Sequence, residues 1–188
     1  VSVREQSGIR ICKSLGVNAQ WVIDPTLLLH PKDYLSLIKS KDKNVQDNIL
    51  CSYILDSNKE IEELKRMLAE QKHLFIVETN SKIDNPDVSL EERVQPPVEN
   101  WLSAFANASF VITDSFHACV FSILFHKQFV VIGNKERGLA RIGSLLSMFG
   151  LSDRFINNPR EYHELPEIDY EKVENILESK RRESIVFL

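Results

Sequence analysis

Phe110-Val-Ile-Thr-Asp-Ser-Phe-His117 decides the fold. Four residues suited to a strand, 110–113, run straight into Asp114, and a helical apolar pattern begins at once behind it. The stretch is predicted as a buried strand that ends at a helix N-terminus, with the helix over 114–125. Asp114 stands where an N-cap belongs, so its carboxylate is expected to accept from the free N–H groups of that turn. Those N–H groups and the helix dipole favour an anion. Ser115 then falls at the first helical position, where its hydroxyl either helps hold an anion or faces water. His117 lies three residues past the cap, beside whatever docks there. A histidine so placed either acts on a ligand or simply packs locally.

Outward from this stretch, apolar runs of strand length recur at 1–3, 20–23, 49–55, 73–77 and 129–132. Helical patterns lie between them. Arg4-Glu-Gln-Ser-Gly8 leads into one that ends near Leu15 and stops at Gly16, and another follows Pro31 over 32–38. Asn58 is placed to cap a helix with Ile61, Leu64 and Leu68 on one face. Pro96-Pro97 open a helix with Val98, Trp101, Leu102 and Phe105 inward. Residues 139–149 turn Ile142, Leu145, Leu146 and Phe149 inward and stop at Gly150. Residues 169–182 form the last helix. Polar stretches at 39–44 and 78–95 read as loops.

Strands that alternate with helices, and that are apolar throughout, imply parallel pairing with both faces covered. The predicted fold class is α/β, a three-layer α/β/α sandwich with a mainly parallel sheet, forming a single domain over 1–188. Ligands of such sheets sit outside the carboxyl ends of the strands. The loops after Val3, Ile23, Val77, Thr113 and Ile132 are therefore expected to share one rim.

Candidate cations gather on that rim. Arg4 directly follows the first strand, and its guanidinium offers a fork of donors suited to carboxylate or phosphate. The loop Gly133-Asn-Lys-Glu-Arg-Gly138 carries Lys135 and Arg137, and Arg141 follows one turn into the next helix. The loop alone is a weak phosphate signal, since it lacks the GxGxxG and GxxxxGK[ST] patterns. Together with His117, these cations point to an anionic ligand.

Bulk properties narrow the classes further. The chain has 188 residues, 43% hydrophobic and 27% charged, with a net charge of −4. That balance gives no electrostatic reason to expect nucleic acid. No apolar run approaches the roughly 20 residues of a membrane span. The three cysteines, Cys12, Cys51 and Cys119, form no CxxC pair and fit reduced, buried thiols in a cytoplasmic protein. His30, His73, His126 and His163 show no ligand spacing, so no metal is expected. The GxSxG nucleophile motif is absent as well. The chain opens at Val1 inside a strand-like stretch, which reads as a fragment of a longer protein.

Taken in order, Val1-Ser-Val-Arg-Glu5, Leu15-Gly16-Val17, Asp24-Pro25-Thr26-Leu27-Leu28, Trp101-Leu102, Ile112-Thr-Asp-Ser-Phe-His117, Arg137-Gly138 and Arg141 resemble the polysaccharide pyruvyl transferase family. The resemblance runs from Val1 to about Arg154. It implies a fold similar to glycosyltransferase-B enzymes, in which two Rossmann-like domains face across a cleft. This chain would be the C-terminal domain, with 169–188 a returning helix and the N-terminal domain missing. The implied activity is transfer of pyruvate from phosphoenolpyruvate to sugar hydroxyls as a ketal, during surface polysaccharide biosynthesis. It needs no cofactor beyond phosphoenolpyruvate as donor substrate. The acceptor would be a sugar or lipid-linked oligosaccharide, and the location cytoplasmic, at most peripheral to the inner face of the membrane. By resemblance, His117 matches the family's catalytic or donor-binding histidine and Arg4 an arginine that binds the donor. Asp114, Ser115, Arg137 and Arg141 complete the implied substrate-binding set. Two other readings stay open: a nucleotide-sugar-dependent glycosyltransferase domain with Glu136 on ribose, and a non-catalytic binding domain of the same fold.

Overall fold

The computed structural model describes residues 1–38, 48–81, 87–134 and 138–187. The chain enters through β1 (Ser2–Val3), α1 (Gln6–Ser14) and β2 (Gln20–Trp21), and the two strands pair in parallel as a small separate sheet. Gly8 makes this return possible. A Cβ there would meet the Val3 side chain at 2.9 Å, so only glycine lets α1 pack so close to β1. Gly16, at φ +72°, ends the excursion as its position predicts. A 3-10 turn over Pro25–Leu28 and α2 (Pro31–Leu35) follow.

The main sheet is built from β3 (Ile49–Tyr53), β4 (Phe75–Glu78), β5 (Ala108–Thr113), β6 (Gln128–Ile132) and β7 (Phe155–Ile156), in the order β4-β3-β5-β6-β7. Every pairing is parallel. The connecting helices are α3 (Lys59–Gln71), α4 (Leu90–Arg93), α5 (Val98–Asn107), α6 (Phe116–Leu124) and α7 (Leu139–Met148), and α8 (Tyr170–Phe187) ends the chain. Alternate strand residues face opposite layers. Leu50, Ile112, Val130 and Ile132 pack under Ile61, Leu64 and Leu68 of α3. Cys51, Val111, Phe129 and Val131 pack under α5, α6, α7 and α8. Burial on both faces is why the central strands read as unbroken apolar runs. The result is the expected α/β/α sandwich.

Three expectations change. The run 73–77 reads as buried, but β4 is an edge strand, and Phe75 is 59% exposed because it has a neighbour on one side only. The polar stretch 78–95 contains α4, and the two-residue β7 lies beyond α7, too short to leave a periodic signal. Val98 is predicted inward but is exposed at the start of α5. The expected loop at 39–44 lies outside the described residues. From β3 the chain passes to β4 on one side and then crosses to β5 on the other. The order of strands thus reverses between β3 and β5, and the carboxyl ends of these two strands frame the crevice where sheets of this kind take ligands.

Candidate functional site

The turn between β5 and α6 stands at that crevice. Ser115, not Asp114, is the N-cap of α6, with extended backbone and no side-chain capping bond. Asp114 is 1% exposed and its carboxylate reaches across the sheet instead. Oδ1 accepts from the Leu55 N–H at 2.7 Å, and Oδ2 from the Asp56 N–H at 3.2 Å and from Asn134 Nδ2 at 3.0 Å. The chain leaving β3 presents two N–H groups that have run out of ladder partners, and a buried carboxylate satisfies both. That demand outweighs capping. The helix accordingly begins at Phe116, one residue nearer His117 than the sequence suggests. His117 is the second residue of α6 and is exposed at its tip. The Ser115 N–H donates to Thr113 Oγ1 at 3.0 Å, which fixes the turn.

Phe116 is the point where three predicted residues meet. The Arg4 guanidinium carbon lies 5.2 Å from the ring centroid, that of Arg141 lies 5.9 Å away, and the His117 ring packs edge-on at 5.4 Å. The cations take the electron-rich ring face, an arrangement worth roughly 0.5–1 kcal/mol for each at a partly exposed site. Residues 4, 117 and 141 come from three different segments, so only the tertiary fold unites them. The Gln6 N–H donates to Ser144 Oγ at 3.1 Å and ties the segment after Arg4 to α7, which carries Arg141. Gly138, at φ +80°, is the N-cap of α7, and the Arg141 guanidinium folds back to within 3.5 Å of where a Cβ would stand. Arg137 is also a predicted site residue. With Lys135 and Glu136, it lies outside the described residues.

Asp24 enters the sequence reading only as part of the resemblance, with no role of its own. It is 4% exposed, and Arg4 Nη1 donates to its Oδ2 at 2.7 Å while the Thr26 N–H donates to Oδ1 at 3.0 Å. Burial alone would raise its carboxyl, but these hydrogen bonds and the Arg4 charge hold it below its ordinary value. The Asp-Pro-Thr order carries the only local signal, an Asx-type turn. Its arginine partner is 20 positions away. The remaining guanidinium nitrogens of Arg4 have no partner among the described residues. The helix at the C-terminus braces this loop: the Ile23 N–H donates to Ser184 Oγ at 3.2 Å, and the Arg181 guanidinium donates to Leu27 O at 2.7 Å and Leu29 O at 2.8 Å.

The arrangement offers two guanidinium groups, an imidazole and the open N-terminal turn of a nine-residue helix. Such a set suits a small ligand with more than one negative group. The cysteines are poor nucleophiles. Burial pushes the Cys51 thiol up to about 12 and the Cys119 thiol higher still. Among the described residues no group of three His, Cys, Asp or Glu side chains is placed to hold a metal ion. No described helix is long and apolar enough to cross a membrane.

Residues 1–136 match the family model described as polysaccharide pyruvyl transferase. The match takes in Arg4, Asp24 and the whole of β5 with the turn to His117, and ends before Arg141. No curated protein and no solved structure matches the chain.

Proposed function

The chain belongs to the polysaccharide pyruvyl transferase family, and on that premise we propose that its cationic cluster binds phosphoenolpyruvate and delivers pyruvate to a sugar as a ketal. The observation that supports this reading is the convergence of Arg4, Arg141 and His117 on Phe116 at the start of α6. Phosphoenolpyruvate carries a carboxylate and a phosphate, which need several donors close together. Arg4, oriented by Asp24, and Arg141 supply fixed charge, and the N–H groups of the first turn of α6 supply dipoles. Arg137, which precedes Gly138 in the sequence, belongs to the same proposed set, and Ser115 adds a hydroxyl beside that turn. Asp114 acts one step removed, by fixing the turn that presents His117.

The chemistry balances with these groups. Protonated His117 gives its proton to the methylene carbon, and a sugar hydroxyl attacks C2 as positive charge develops there. A second hydroxyl then attacks C2, inorganic phosphate leaves, and the ketal ring closes. Two hydroxyl protons are released. One replaces the proton that His117 delivered to the methyl group, and the other leaves with phosphate. Cations fixed at the departing phosphate stabilise the charge as it forms. The donor is consumed as a substrate, so the reaction calls for no resident cofactor. The acceptor is a sugar or lipid-linked oligosaccharide, and a second domain of the longer enzyme would close the site.

Calorimetric titration of the chain with phosphoenolpyruvate, UDP-glucose and GDP-mannose tests the donor. Binding of phosphoenolpyruvate alone, lost in Arg4→Ala, is the expected result. Binding of a nucleotide sugar in its place would overturn the reading in favour of a glycosyltransferase.

A further inference from the structure

We infer that the pocket on the α3 side of the β5–α6 turn binds the hydroxyls of a neutral sugar. Its place in the reaction, as the subsite for the acceptor diol, rests on the function proposed above. The ligand class rests on the pocket itself. The cavity, of about 300 Å³, opens at the carboxyl ends of the strands, between the loops that leave β3, β6 and β7. Its polar lining includes the carboxylates of Asp56, Glu60 and Asp114 and the amides of Asn58, Asn134 and Asn158.

Each competing ligand class meets an obstacle. Among the described residues no Lys or Arg lines the cavity, and three carboxylates repel a second anion. Arg160, next to the lining residue Pro159, is engaged by Glu60 at 2.9 Å. A metal ion lacks a suitable group of ligands among the described residues. An apolar ligand would strand the polar lining without partners. A neutral polyhydroxyl compound suits it: its O–H groups donate to carboxylates and its oxygens accept from the amide N–H groups of Asn58 and Asn158.

Two of the amides keep a donor to spare. Asn58 Oδ1 accepts from the Ile61 N–H at 3.0 Å and Asn158 Oδ1 from the Arg160 N–H at 2.9 Å. Each oxygen is thus occupied by a helical or 3-10 turn, and each NH2 group has no partner among the described residues. Asn134 is fixed by Asp56 at 2.6 Å and Asp114 at 3.0 Å. Charge is therefore divided across one turn of chain. Asp114 faces the acidic, amide-lined side, and His117, three residues on, joins the cations around Phe116. A donor anion and an acceptor hydroxyl would meet over residues 114–117, each on the side whose charge admits it.

NMR titration of the 15N-labelled chain tests this, with millimolar methyl glycosides of glucose, galactose and mannose as probes and phosphoenolpyruvate in parallel. At least one glycoside is expected to shift the side-chain NH2 signals of Asn58, Asn134 and Asn158, and Asp56→Ala is expected to abolish those shifts. The inference is overturned if none of the glycosides moves these signals, or if Asp56→Ala leaves the shifts intact. Phosphoenolpyruvate is expected to move the His117 and Arg4 signals instead. Sugar shifts without that response would leave the sugar pocket standing and sink the donor reading. The donor response without sugar shifts would do the reverse.

Discussion

Arg4 and Asp24 form an ion pair of 2.7 Å that joins the exit of β1 to the exit of β2. The Asp24 carboxylate is buried while the Arg4 side chain is 39% exposed, so the pair acts as a mount: Asp24 fixes one end of the fork and holds the guanidinium over Phe116.

Asp24→Asn keeps the shape and removes the charge that orients the fork. The dissociation constant for phosphoenolpyruvate is expected to rise about tenfold, a loss near 1.4 kcal/mol, measured by titration calorimetry. The sign of the pH effect follows from the depressed carboxyl. Its contribution to stability is present above the ordinary value of 3.8 and is lost as pH falls through the lower folded value. Melting curves of the wild type and Asp24→Asn should therefore differ at pH 7 and converge as pH falls below about 4. A gap that widens in acid would refute the assignment.

His117 is exposed at the tip of α6, so its removal should not unsettle the fold. On the proposed function, His117→Ala is expected to lower transfer by roughly 10²–10⁴-fold, the usual range for a lost general acid. Phosphoenolpyruvate affinity should fall far less, and the melting temperature should hold. Near-normal turnover would rule out the acid role.

The sequence discloses the parts of this site that obey local rules and hides those that depend on distant partners. β5 and β6 are legible because burial on both faces leaves an unbroken apolar run. Gly16 and Gly150 announce helix ends because their φ of +72° and +68° suits glycine. The meeting of Arg4, His117 and Arg141 is only half legible: each is placed by its strand or helix, but Phe116 as their common contact is not. Asp114 misleads for the same reason. Its partner Leu55 is 59 positions away, and nothing local in Thr-Asp-Ser says which way the carboxylate turns.

Arg181 carries a prediction about stability. It is 3% exposed, and besides the carbonyls of Leu27 and Leu29 it contacts Glu178. Arg181→Met keeps the length and removes every donor, leaving two carbonyls of the loop after Asp24 without their partner. Urea denaturation should show a loss of roughly 2–4 kcal/mol. Phosphoenolpyruvate binding should weaken as well, because the loop it braces holds Asp24.

The cysteines should divide by exposure. Cys51 and Cys119 are fully buried with raised thiols, whereas Cys12 on α1 is partly exposed. Iodoacetamide at pH 8 is expected to label Cys12 alone in the native chain and all three after denaturation, as read by peptide mass spectrometry. Rapid native labelling of Cys119 would show that the base of α6 opens.

Asp114 supplies the sharpest test of how the turn is held. As an N-cap it would be worth about 1 kcal/mol, and Asn, an equally good cap, would replace it without loss. As a carboxylate that accepts from Leu55, Asp56 and Asn134, it uses both oxygens, and Asn has only one to offer. In Asp114→Asn the new NH2 group must face either a backbone N–H or the Asn134 amide, donor against donor. That variant is therefore expected to lose roughly 2–3 kcal/mol of stability, with faster amide exchange at Leu55 and Asp56. Unchanged stability and unchanged exchange would return Asp114 to a capping role and remove the bond that ties the β3 exit to the turn bearing His117.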